Sequence, residues 1–122
     1  MIKDNKIKHL YKKVVSETLN ERKVQILNTL SSSPDIENII RSSLITRFIK
    51  CGKSNCRCAE GEGHKSFYLS SYYRGHKFLD YVPKSYEKKI AKSINDYEEV
   101  SALLAELSEI NLELFRRREL DL

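Results

Sequence analysis

The chain has 122 residues, of which 40% are hydrophobic and 32% charged, with a formal net charge of +5. That balance describes one globular domain and excludes wholesale disorder. No apolar run reaches the roughly 20 residues that span a bilayer, and the charged start, Met1 to Lys13, lacks a signal-peptide core, so a cytoplasmic location without a membrane partner is expected.

The charge is unevenly placed: +3 over residues 1–43, +6 over 44–89 and −4 over 90–122. The basic middle suggests a polyanionic partner, and the acidic tail a different task.

In chain order, Asp4 to Ser31 reads as a helix. Ile7, Leu10, Tyr11, Val14, Thr18 and Leu19 recur at three- and four-residue steps, continued less cleanly by Val24, Leu27 and Leu30. Ser33-Pro34 reads as a cap and first position of a short second helix reaching about Arg41, with Asp35 and Glu37 in its first turn.

Leu44–Lys50 is rich in β-branched and aromatic residues and predicts a strand. Ser66–Tyr73 and Lys77–Val82 predict two more, joined by a turn at Arg74-Gly75-His76 and closed by Pro83. Three short strands form a small antiparallel sheet that needs a helix on one face.

Lys84 to Glu119 contains neither Gly nor Pro and predicts one long helix. Val100, Leu103, Leu107, Ile110 and Leu114 follow heptad spacing, so the far end must pack on the N-terminal helix, on a second copy, or on both. A homodimer through this C-terminal helix is the expectation. Arg116-Arg117-Arg118 suits a helix C-terminus as readily as a phosphate backbone. The fold class is therefore α+β: an N-terminal helical segment (1–43), a metal-clasped β module (44–83) and a long helix (84–122), in one compact unit.

The strongest chemical signal is C-x4-C-x-C-x5-H, made by Cys51, Cys56, Cys58 and His64. Three thiolates and one imidazole are a tetrahedral structural zinc set, and Lys53 and Arg57 offset their negative charge. An odd, clustered cysteine count argues against a disulfide framework. The C-x-C pair is an unfamiliar spacing, since extended backbone turns alternate side chains apart. Free thiols beside a surface histidine, or a reactive thiol, remain rival readings. His9 and His76 are alternative fourth ligands, and iron suits such a set as well as Zn2+ does.

Six of the eleven aromatics lie between Phe67 and Tyr81. Alternation places Phe67, Leu69 and Ser71 on one face and Tyr68, Ser70 and Tyr72 on the other. Half of the rings or more are expected to pack against the long helix. Arg47, Lys50, Lys53, Arg57, Arg74 and Lys77 surround them, a pattern that suits phosphate contacts and base stacking.

These residues resemble an uncharacterised family of short prokaryotic proteins with the pattern R-x-x-x-C-G-K-x-x-C-x-C-A-x-G-x-x-H. It is matched here at Arg47, Cys51-Gly52-Lys53, Cys56, Cys58-Ala59, Gly61 and His64, followed by Phe67-Tyr68 and Val82-Pro83-Lys84. Where that family commonly has Gly-Pro-Tyr-Tyr, this chain has Lys65-Ser66-Phe67-Tyr68. The resemblance implies an association with mobile elements and recombinases. The order of hairpin and helix is also similar to the arm-binding domains of tyrosine recombinases. The expected function is a non-enzymatic, zinc-containing nucleic-acid-binding accessory protein, with DNA favoured and no small-molecule substrate. The alternative is a protein–protein adaptor with a structural zinc.

Overall fold

A computed structural model describes residues 11–32, 35–61 and 63–122, apart from the side chain of Cys58. Its elements are α1 (Ser16–Ser32), β1 (Ser43–Ile49), a 3-10 turn (Arg57–Ala59), β2 (His64–Tyr73), β3 (His76–Val82), a second 3-10 turn (Lys84–Tyr86) and α2 (Glu87–Arg116). The expected architecture is present: an N-terminal helix, a three-stranded antiparallel sheet and a long C-terminal helix. No helix among the described residues is long and apolar enough to cross a membrane.

The chain divides into two compact units, Met1–Asp35 with Glu99–Leu122, and Ile36–Glu98. The boundary falls inside α2, whose 30 residues span about 45 Å at 1.5 Å each.

In the first unit, Leu19 and Ile26 of α1 meet Ile110 and Leu114 of α2 in a buried cluster. Tyr11, Val14, Leu30, Leu103, Leu107 and Leu120 pack around it. The heptad seam is thus occupied by the chain's own N-terminal helix.

α1 begins at Ser16, later than expected. Residues 4–10 of the expected helix lie outside the described residues, and Tyr11–Val14 forms a turn closed by the Val14 N–H on the Tyr11 carbonyl (3.0 Å). A tertiary contact explains the late start. The Arg117 guanidinium donates to the carbonyls of Tyr11 (2.9 Å) and Val14 (2.6 Å), groups a helix would have used for its own ladder. Arg117 also donates to Ser16 Oγ (3.0 Å) and to the buried Glu113 carboxylate (2.8 Å). Of the three terminal arginines, this one is a structural strut.

α2 stops at Arg116. Arg118 takes a left-handed conformation (φ 58°), while the Glu119 and Arg118 N–H groups donate to the carbonyls of Leu114 and Phe115 (both 2.8 Å). This is a Schellman ending with arginine where glycine is usual.

Arg22 forks onto Glu106 at 2.5 and 2.8 Å, and that hydrogen bond holds the Glu106 carboxyl below its ordinary value. A lowered carboxylate stabilises the fold above the ordinary carboxylate range, and its contribution is lost as pH falls through the lowered value. Both side chains are partly exposed, and solvent screening keeps the effect small. Arg22→Gln is expected to lower the thermal midpoint slightly at neutral pH, with the difference from the parent closing in acid. A gap that persists in acid would assign the loss to packing.

In the second unit, Ile36 to Arg41 is not the expected short helix, and Ser33-Pro34 lies outside the described residues. Two of its backbone groups are bonded to distant partners. The Ile40 N–H donates to the Ser93 carbonyl of α2 (3.2 Å), and the Tyr73 hydroxyl donates to the Arg41 carbonyl (2.7 Å).

The sheet has strand order β1-β2-β3. β2 starts two residues before the sequence pattern suggests, because His64 pairs with Ile49. Arg74 (φ 51°) and Gly75 (φ 81°) form the tight β2–β3 turn, both in the left-handed region such two-residue turns require. Among the described residues, this unit buries only two apolar side chains, Val82 and Ile94.

Candidate metal centre and its basic aromatic sheet

Cys51 lies two residues after the end of β1, and His64 is the first residue of β2. Cys51 and His64 therefore sit at the root of one strand pair, next to the Ile49–His64 partners. Between them the chain turns twice. The Cys56 N–H donates to the Lys53 carbonyl (3.2 Å), and the Ala59 N–H donates to the Cys56 carbonyl (3.0 Å). The Lys50 ammonium reaches across to the Ala59 carbonyl (3.3 Å) and closes the loop from β1.

This path brings the ligand atoms of Cys51, Cys56 and His64 within 4.8 Å of one another. Cys56 Sγ lies 3.3 Å from His64 Nε2. In a zinc tetrahedron with bonds of about 2.3 Å to sulfur and 2.0 Å to nitrogen, a sulfur–nitrogen edge measures about 3.5 Å. The loop thus stands close to ligand geometry. Neither Cys51 nor Cys56 is in a disulfide. Cys58 follows two residues later in the 3-10 turn, with its side chain outside the described residues. His76 pairs with Tyr73 at the opposite end of β2, about 30 Å away along the strand, which removes it as a ligand. His9 lies outside the described residues.

Gly63 makes this closure possible. It has φ +100°, and a Cβ there would lie 2.6 Å from the Ile49 carbonyl carbon and 2.8 Å from the Lys50 nitrogen. Only glycine lets the backbone cross β1 this closely just before the histidine.

The six cations expected to meet phosphate are not one patch. Lys50, Lys53 and Arg57 belong to the Cys/His loop, Arg47 lies on neighbouring β1, and Arg74 and Lys77 lie at the far hairpin end of β2. Pairing places Arg47, Tyr68, Tyr81, Tyr72 and Lys77 on one face. There the Arg47 guanidinium lies 5.5 Å from the Tyr68 ring centroid, and Tyr68 meets Tyr81 edge-on at 5.6 Å. The expectation that half of the rings or more are packed fails. Tyr72 is 65% and Tyr81 59% exposed, and Tyr73 and Phe78 are exposed as well, leaving only Phe67 and Tyr68 partly covered. With two core residues in this unit, there is not enough apolar cover for the sheet.

Sequence reasoning missed Arg41, which it assigned to a helix end. The Arg41 guanidinium donates to the Tyr72 carbonyl (2.6 Å) and lies 4.2 Å from the Tyr73 ring centroid. The available signal was the pair of Ser-Ser steps, Ser42-Ser43 and Ser70-Ser71, in otherwise β-branched and aromatic surroundings.

No curated protein and no solved structure matches the chain. A family model described as a domain of unknown function, DUF6788, matches residues 16–92, which takes in α1, the whole sheet with its Cys/His loop, and the start of α2. The chain therefore belongs to the DUF6788 family.

Proposed function

We propose that the chain is a non-enzymatic zinc protein that binds nucleic acid. Zinc held by Cys51, Cys56, Cys58 and His64 clasps the β1–β2 loop, and the exposed sheet provides the contact surface. The carrying observation is the convergence of Cys51, Cys56 and His64 in a unit with only two buried apolar residues among those described. A unit so short of core needs another source of stability, and a metal clasp supplies it. On this reading Arg47, Lys50, Lys53, Arg57, Arg74 and Lys77 neutralise phosphates, while exposed Tyr72 and Tyr81 offer rings for base stacking. DNA is the favoured nucleic acid and the cytoplasm the proposed location.

Two measurements test this. Protein purified without added metal is expected to carry about one zinc per chain by elemental mass spectrometry. Metal-free protein with an intact sheet would remove the clasp. Replacing Lys53 and Arg57 together with Ala is expected to weaken nucleic-acid binding and reduce its log–log salt slope by about 2. An unchanged slope would take those two side chains out of the interface.

A homodimer through α2 belongs to this same reading, with a protein–protein adaptor as its alternative, and one observation favours a contact on that helix. With Ile110 and Leu114 in the chain's own core, Leu104, Leu112 and Phe115 remain about half exposed on α2. A second copy would then dock on these three residues. Phe115→Glu is expected to return a dimer to monomer in light scattering, and a protein monomeric at all concentrations rejects the homodimer.

A further inference from the structure

The β1–β2 register ends at Ser43 and Ser70, so Ser71 to Tyr73 run on without a β1 partner. A cleft of about 530 Å³ occupies this notch, lined by Arg41, the four serines 42, 43, 70 and 71, Tyr72, Lys77, Tyr97 and Glu98. All lie within the one unit Ile36–Glu98.

The lining contains no aliphatic side chain. It offers two cations, four serine hydroxyls, one carboxylate and two tyrosines. Its polar groups lie beside the tyrosine rings, so the cleft suits a ligand that carries both charged or hydroxyl groups and a flat ring. Arg41 is preorganised. Its guanidinium is fixed by the Tyr72 carbonyl and the Tyr73 ring, and its own carbonyl accepts from the Tyr73 hydroxyl. One of its five N–H donors is committed to that carbonyl, which leaves others for an anion. Ser42 and Ser71 share a hydroxyl–hydroxyl hydrogen bond across the notch. Lys77, paired with Tyr72 across the hairpin, makes no ion pair among the described residues. Two cations beside hydroxyl donors match phosphate oxygens. A single carboxylate, Glu98, matches sugar hydroxyls as an acceptor. The exposed Tyr72 ring at the rim matches a base face.

We infer that this cleft binds one nucleotide unit, with the phosphate between Arg41 and Lys77, the sugar toward Glu98 and the base on Tyr72. The inference deepens the nucleic-acid reading and rests on it for the source of the nucleotide: a strand, as opposed to a free mononucleotide.

The test titrates the full chain with AMP, with adenosine and with a short single-stranded oligonucleotide. It compares the parent with Lys77→Gln and with Lys88→Gln, which removes the same charge from an exposed position outside the cleft. AMP is expected to bind where adenosine does not, to compete with the oligonucleotide, and to lose about tenfold in affinity in Lys77→Gln but not in Lys88→Gln. The same AMP pattern without oligonucleotide binding keeps the cleft and overturns the nucleic-acid reading. Oligonucleotide binding that AMP does not compete for, and that Lys77→Gln weakens no more than Lys88→Gln, overturns the cleft while the nucleic-acid reading stands. Binding of neither overturns both.

Discussion

Gly63→Ala is expected to disable the metal loop. An added Cβ would sit 2.6 Å from the Ile49 carbonyl carbon and 2.8 Å from its oxygen, in a backbone conformation (φ +100°) that L side chains rarely adopt. The obstructing atoms are backbone, so no rotamer change relieves the contact. Either β1 or the glycine must move, and His64 is the next residue. A displacement of about 1 Å is enough to spoil a site that needs ligand distances within about 0.2 Å. On the proposed zinc reading, zinc affinity, measured by competition with a chromophoric chelator, should fall at least tenfold, as it does when groups supporting a metal ligand are lost. Gly52→Ala is the matched control. It shares a positive φ (+83°) but has nothing within 4 Å, so it should cost about 1 kcal/mol of strain and retain zinc. Equal zinc affinity in the two variants would show that the approach of Gly63 to β1 does not hold the site.

Arg117→Ala is expected to cost about 3 kcal/mol in the helical unit. The guanidinium serves four acceptors at once: the carbonyls of Tyr11 and Val14, the hydroxyl of Ser16 and the carboxylate of Glu113. Glu113 is only 7% exposed, so its removal strands a buried charge. The neighbouring Arg116 approaches Glu113 only at 3.6 Å and cannot replace the fork. Thermal unfolding should shift down by roughly 10 °C. Arg117→Lys should recover little, because one ammonium cannot reproduce the planar fork. Restoring stability in the double variant Arg117→Ala with Glu113→Gln would confirm that the stranded carboxylate dominates. A single variant within about 0.5 kcal/mol of the parent would deny Arg117 this role, since that is the range of ordinary surface substitutions.

The element types were legible because their signals are local. Alternation and β-branched content marked the three strands, and the run without Gly or Pro marked α2. The convergence of Cys51, Cys56 and His64 was legible because they lie within one loop, where spacing alone limits their separation. The two helix misreadings share a cause. Tyr11 to Val14 and Ile36 to Arg41 both carry local helical signals, and both give their backbone groups to distant partners: Arg117 in the first case, Ser93 and Tyr73 in the second. Sequence spacing holds no record of a hydrogen bond to a residue dozens of positions away.

The sequence by itself determined the α+β order of elements, the basic middle segment, and the residue types of a candidate metal site, since each depends on neighbours within a few positions. Only the tertiary structure decided that the heptad seam closes on α1, that His76 lies an entire strand away from the cysteines, and that four of the six rings of the sheet stay exposed. It also brought Arg41 to Lys77, Tyr97 and Glu98 around one cleft. The reason is physical: side-chain burial and pairing register are settled by long-range packing, and a chain pattern specifies which face of an element is apolar without naming what will cover it.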